Sequence, residues 1–187
     1  EVVEAGKGII VCVNKFDLVR EKSKAGEETD ERELDEVKMW DERLDKIREN
    51  YLIYLSGKIK FLNWAPVLFF SAKNGKGVMD IFPNALGIHA EQRKRIDTAD
   101  LNRHLPEIYY KSVQPMVGTK LGKIKYVSQV ATYPPKFLFH VNNIMAFHFT
   151  YRRYLENQLR EKYGFHGTPI RVEFRDAMKE FRGGKKK

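Results

Sequence analysis

One cysteine stands among 187 residues, so no internal disulfide can staple the fold, and a reducing, cytoplasmic setting is expected. No stretch approaches the ~20 consecutive apolar residues of a spanning helix, so no membrane partner is expected. The opening Glu1-Val2-Val3-Glu4 has neither the basic n-region nor the apolar run of a secretory signal, and the chain reads as entering in mid-fold. Five scattered histidines with one cysteine supply no metal-ligand spacing, so His140 and His148 read as structural side chains. No internal repeat or low-complexity segment occurs apart from the closing Lys185-Lys186-Lys187, which excludes solenoids and arrays.

What is present is enough for a core, since 42% of residues are hydrophobic, with 12 Phe and 9 Tyr, which excludes a disordered chain. The net charge of +9 is unevenly spread. Residues 91–187 hold 20 Lys/Arg against 9 Asp/Glu, while residues 21–49 hold 12 acidic and 7 basic groups. The basic half suits a polyanionic partner, through phosphate neutralisation and counterion release.

Gly8-Ile9-Ile10-Val11-Cys12-Val13 is a continuous β-branched run, the pattern of a strand buried on both faces in a parallel sheet. Cys12 within it reads as an inert core thiol. From about Thr29 to Tyr54, Leu34, Val37, Trp40, Leu44, Ile47 and Tyr51 recur at three or four, predicting a helix with one apolar stripe that flanks the sheet. Glu42 and Lys46 add an i,i+4 pair. Ala65-Pro66-Val67-Leu68-Phe69-Phe70-Ser71 predicts a second central strand, and Asn74-Gly75-Lys76-Gly77 a turn. Val78 to about Lys94 then reads as a helix with Pro83 near its first turn. The order is β-α-β-α.

A boundary is expected near Arg95–Thr98, dividing residues 1–95 from 96–180 and a basic tail at 181–187. Thr98 is placed as the cap of a helix running through Leu101, Leu105, Ile108 and Tyr109 towards Val113. Residues 123–130 and 136–141 alternate polar and apolar, predicting half-exposed strands interrupted by Pro134-Pro135. Tyr151, Tyr154, Leu155 and Leu159 mark a helix closed by Gly164, and residues 169–174 alternate again. The second half is thus an α-β-β-α-β unit.

Chemistry enters at the strand ends. Asn14-Lys15-Phe16-Asp17 follows the first strand and Ser71-Ala72-Lys73 the second, at the carboxyl edge where open α/β sheets bind ligands. Guanine suits this pair. Asp17 could accept from its N1–H and exocyclic amine, Asn14 could contact the O6/N7 side, and the Ala72 amide could donate to O6. The stems of Lys15 and Lys73 could sandwich the base. Adenine would set its N1 acceptor against a carboxylate, and sites built to pair a donor can reject such analogues by about 10⁴–10⁵. Both motifs, in this order, resemble the base-recognition motifs of TRAFAC-class GTPases.

No Gly-x-x-x-x-Gly-Lys-Ser/Thr or Asp-x-x-Gly occurs in these residues. Gly118-Thr119-Lys120-Leu121-Gly122-Lys123 has one residue too few between its glycines and Ile124 where a metal-binding hydroxyl would stand. Phosphoryl transfer needs a phosphate cradle, metal and positioned water, so residues 1–187 alone are expected not to hydrolyse GTP.

Residues 123–130, 134–142, 151–160 and 164–171 closely resemble the C-terminal KH-like domain of the Der (EngA) family of bacterial double-domain GTPases, across roughly residues 96–176. Residues 7–95 then resemble the second half of that family's second GTPase domain, although the acidic stretch near 21–60 is longer than the family's usual connection. The resemblance implies an α/β partial P-loop GTPase domain with a parallel sheet, followed by an α+β KH-like domain. It further implies GTP or GDP as ligand, Mg²⁺ only through an upstream half, and a role in large ribosomal subunit assembly. The implied partners are rRNA and the upstream GTPase domains. Candidate RNA contacts are Lys123, Lys125, Lys136, Arg152, Arg153, Arg160, Arg171, Arg175 and the Lys185–Lys187 tail. Gly164-Phe165-His166-Gly167 matches a KH backbone clamp in spelling, but it follows a helix and precedes a strand, so a helix-closing turn is expected. Tyr151 and Tyr154 read as core. The alternative is a non-enzymatic RNA-binding or interaction module with the α/β half as scaffold.

Overall fold

Three residues, Val11–Val13, form strand β1, and Val67–Phe69 form β2 in parallel with it, pairing Val11 with Val67, Cys12 with Leu68 and Val13 with Phe69. This computed structural model describes residues 1–18, 33–59, 63–111 and 114–177, with backbone course alone for 33–43. Between the strands runs helix α1, Glu33–Lys58. Its half-exposed Tyr51 ring meets Phe69 edge-on at 5.9 Å, and Leu44 is buried, so this part of the stripe faces Phe69. Leu34, Val37, Trp40 and Glu42 lie outside the described side chains. Arg48 instead pairs with Asp45 at 2.8 Å.

Cys12 corrects the sequence reading, because it is exposed rather than a core thiol. Side chains alternate along a strand, so covering the Phe69 face leaves Cys12 on the opposite one. After β2 comes a 3-10 turn, Val78–Asp80, and helix α2, Ile81–Arg93. Ile88 is buried, while Phe82 and Leu86 are exposed.

Two compact units result, one of Ile9–Gly87 and one joining Glu1–Gly8 to Ile88–Lys187. The division between these compact units falls within α2, because the last turn of α2 bonds to the second unit. Gln92 donates to the Gly6 carbonyl at 3.2 Å, and Glu91 accepts from the Phe165 amide at 2.6 Å.

In that unit helix α3, Thr98–Tyr110, is capped by Asp97, whose side chain accepts from the Ala99 amide at 2.9 Å. The cap is therefore Asp97, one residue before the expected Thr98. A short hairpin, β3 (Met116–Val117) and β4 (Lys120–Leu121), which the sequence pattern did not reveal, leads into β5, Ile124–Thr132. Strand β6, Pro135–Val141, is antiparallel to β5 and parallel to β7, Arg171–Asp176. Helix α4, Phe149–Tyr163, connects β6 to β7.

Strand β6 is the central strand, and Phe137, Leu138, Phe139 and Val141 are all buried, so it is not the half-exposed strand its alternation suggests. Leu101, Leu105 and Ile108 of α3 and Leu155 and Leu159 of α4 complete one core with Val127, Phe165 and Val172. Each such buried side chain contributes about 1.5–3 kcal/mol relative to exposure. Tyr109 and Tyr154 are tied into this layer through bonds to the carbonyls of Gly122 (2.8 Å) and Ile108 (2.6 Å). The order α-β-β-α-β holds, with the hairpin added. No helix among the described residues is long and apolar enough to cross a membrane.

Candidate functional site

Where β1 ends, the backbone turns through Lys15 in the left-handed region, at φ 62°. Such a conformation costs a non-glycine residue roughly 1–3 kcal/mol and persists when neighbouring bonds hold it. Here the Asn14 side-chain oxygen accepts from the Lys15 amide at 2.7 Å and from the Ala72 amide at 3.1 Å. Asn14 thus ties the two sequence motifs together across 58 positions. The ladder also continues past the strands, as Phe70 donates to Val13 (3.0 Å) and Phe16 to Phe70 (3.2 Å).

The second motif is a tight turn. Ser71 is buried, its amide donates to the Lys76 carbonyl at 2.9 Å, and its hydroxyl oxygen accepts from the Asn74 amide at 3.3 Å. Gly77 closes it at φ 76°, where an added Cβ would stand 2.9 Å from the Phe69 carbonyl oxygen. Only glycine meets both conditions without strain.

Asp17 and Ser71 share the wall of a cavity of about 340 Å³ with Phe16, Arg48, Asn74 and Asp80. That volume is in the range of small-molecule pockets. One Asp17 carboxylate oxygen is buried and has no hydrogen-bond partner among the described residues. The structure therefore places Asn14 against Ala72, and Asp17 and Ser71 on the wall of one cavity. Asn14, Lys15, Ala72 and Lys73 are exposed and do not line the cavity. The Ala72 amide, expected as a free donor, is directed at Asn14. Asn14 accordingly presents its amide nitrogen, since its oxygen is occupied.

Sequence reasoning missed Arg48 and Phe16. The Arg48 guanidinium lies 5.2 Å from the Phe16 ring centroid, and Phe16 packs on Phe69 at 4.9 Å. Phe16 occupies the variable position of its motif, and no sequence signal joins it to a cation on a distant helix.

Several cationic candidates of the second unit are exposed, and others are spent within the fold. Lys123, Lys125, Arg152, Arg153 and Arg175 are exposed. Lys136 is paired with Glu173 at 2.7 Å, and Arg171 donates to the Glu4 carbonyl. Arg160 is a correction. It donates to the carbonyls of Phe165 and Thr168, each at 2.6 Å, so its guanidinium fastens the turn after α4 and is not available to a phosphate. Burial lowers its pKa to about 10, against the opposing pull of Glu156. Gly164-Phe165-His166-Gly167 is that turn, with Phe165 buried at φ 68° and Gly164 ending the helix, as expected of a helix-closing turn. The Lys185–Lys187 tail lies outside the described residues.

Residues 95–175 match the family described as "KH-domain-like of EngA bacterial GTPase enzymes, C-terminal". The chain is 38% identical over 177 residues to GTPase Der of Clostridium botulinum (strain Okra / Type B1), covering 95% of this chain and 35% of that protein. It is 38% identical over 173 residues to GTPase Der of Clostridium novyi (strain NT), covering 92% of this chain and 34% of that protein. GTPase Der of Chloroflexus aggregans (strain MD-66 / DSM 9485) is 38% identical over 182 residues, covering 96% of this chain and 35% of that protein. The chain thus spans about a third of the length of the relatives it matches. It belongs to the GTPase Der (EngA) family, and residues 95–175 are its KH-like domain.

Proposed function

We propose that residues 9–87 are the base-reading half of a P-loop GTPase domain, specific for guanine nucleotides, and that the KH-like unit contacts RNA during large ribosomal subunit assembly. The observation that carries the first part is the buried Asp17 oxygen, unpartnered among the described residues, on the loop that Asn14 ties to Ala72. A buried carboxylate oxygen without a donor costs about 1–3 kcal/mol or more. The N1–H and exocyclic amine of guanine are the donors it lacks, and adenine offers none there. GTP and GDP are accordingly the ligands, in keeping with the printed name of the relatives.

Phosphate and Mg²⁺ binding would come from residues outside this sequence, since no phosphate-cradling glycine loop occurs in it. Residues 1–187 therefore bind the base and do not turn GTP over. The KH-like assignment, the basic balance of residues 91–187 and the exposed cations support RNA as the partner of the second unit. The setting is cytoplasmic, and further GTPase domains of the same polypeptide are partners.

Equilibrium binding of GDP and ADP to the purified chain tests the nucleotide reading. GDP is expected to bind at least tenfold more tightly. Equal affinities would leave the first unit a scaffold for a non-enzymatic RNA-binding module.

A further inference from the structure

Between Glu107 and Glu156 the chain contains no Asp or Glu, yet it contains seven Lys or Arg. Those residues build the β3–β4 hairpin, β5, β6, the 3-10 turn Ile144–Ala146 and the first turn of α4. The hairpin and the 144–146 turn are held side by side. Asn142 donates to the Leu121 carbonyl at 2.9 Å and accepts from the Lys123 amide at 2.6 Å. A Cβ on Gly122 would stand 2.7 Å from the Ala146 Cβ, so only glycine allows that approach. The Asn143 side chain caps the 144–146 turn through the Met145 amide at 3.0 Å.

This rigid surface presents apolar groups to solvent. Met145 is 72% exposed, Phe149 69%, Met116 52% and Ile144 42%. The Arg153 guanidinium sits 5.9 Å from the Phe149 ring centroid, and the side chains of Arg153 and Lys123 are exposed. Two sheet cations differ, because Lys136 is spent on Glu173 and Arg171 on Glu4. Exposed ring and thioether faces beside cations, with no carboxylate in the whole segment, match the way single-stranded nucleic acid is held. Bases stack on apolar planes and phosphates meet Lys or Arg. A protein partner of ordinary surface composition would need no such depletion of one sign of charge.

We infer that the hairpin, the 144–146 turn and the first turn of α4 form the RNA-contacting face of the KH-like unit, with Phe149 stacking on an unpaired base, Met145 packing against it, and Lys123 and Arg153 meeting phosphates. This rests on the RNA reading proposed above and locates it away from the β-sheet cations and from the Gly164–Gly167 turn.

The test uses the whole chain and a short fluorescein-labelled single-stranded RNA, with the same sequence as a duplex for comparison, followed by anisotropy across a salt series. Met145→Ala with Phe149→Ala is expected to weaken the single strand by about 5- to 150-fold, the span of one stacked base, and to affect the duplex much less. Lys123→Gln with Arg153→Gln is expected to reduce the salt slope by about 1.4, at ~0.7 per phosphate contact on a single strand. Lys136→Gln with Arg171→Gln serves as the comparison and is expected to change neither. All these side chains lie at or near the surface, so an unchanged thermal transition verifies folding in each variant. RNA binding that survives the first two variants and is lost in the third overturns the assignment while leaving the RNA reading standing. Absence of any salt-dependent RNA binding by the unaltered chain overturns both. Self-association abolished by the Met145/Phe149 variant, with RNA affinity intact, assigns the face to protein contact and overturns it as well.

Discussion

Replacing Asp17 by Asn separates a structural carboxylate from a base-reading one. The buried Asp17 oxygen accepts no hydrogen bond from the described residues, so Asp17→Asn removes none of their bonds to it. An unsatisfied buried polar oxygen carries a cost of about 1–3 kcal/mol. The substitution should therefore leave stability unchanged or raise it, and each kcal/mol gained corresponds to ~2–4 °C for a chain of this size. Binding behaves oppositely. The carboxamide sets an N–H against one of guanine's two donors, and hydrogen bonds to charged groups contribute about 1.5–3 kcal/mol each. Guanosine affinity should fall by about 10- to 150-fold, at 1.4 kcal/mol per factor of ten. Xanthosine, whose C2 oxygen accepts from the new amide, should gain. Ligand-observed NMR titration with both nucleosides, paired with thermal unfolding, reads the two effects separately. A variant that melts several degrees lower, or that keeps guanosine over xanthosine unchanged, would refute the reasoning.

Three further outcomes follow from the geometry. Gly77→Ala forces a Cβ to 2.9 Å from the Phe69 carbonyl at positive φ; urea unfolding should show a loss of roughly 1–3 kcal/mol, and an unchanged midpoint would dismiss the close approach. Arg160→Met strips the donors from the Phe165 and Thr168 carbonyls, and a loss of about 2–4 kcal/mol is expected by the same measurement. The third outcome concerns pH: burial raises the Tyr163 pKa to about 12 and also pushes Tyr154 and Tyr151 upward. A phenol whose folded pKa exceeds its unfolded value contributes stability that is complete below pH ~10 and is lost as pH rises through the folded value. Arg160, lowered by burial, works in the opposite direction. With several phenols against one guanidinium, the melting temperature should fall between pH 10 and 12, and Tyr163→Phe should flatten that fall.

The parts of the fold legible in the sequence are those fixed by short-range pattern. Three or four residue spacing placed α1, α3 and α4, and the α-β-β-α-β order was readable because its turns are marked by Pro134, Gly164 and Pro169. Burial depended on neighbours that no local window contains. Leu138 is buried although it alternates as an outward residue, because β6 has a strand on each side. Cys12 is exposed although it sits in an apolar run, because α1 packs on the other face. The site followed the same division. The juxtaposition of Asn14 with Ala72 was foreseeable from the motifs, whereas the use of the Ala72 amide within the protein depends on a distance of 3.1 Å that no spelling encodes. Arg160 was indistinguishable from Arg153 in sequence, and only the path of the chain through Phe165 and Thr168 decides which one is internal.

The uncovered position of Cys12 has a practical side. It holds the lone sulfhydryl of these 187 residues and stands two positions before Asn14. A single maleimide dye would attach there without mutagenesis, at one defined point beside the turn that carries the asparagine. Its emission would then follow the arrival of a purine in real time, from a position not assigned any part in holding it.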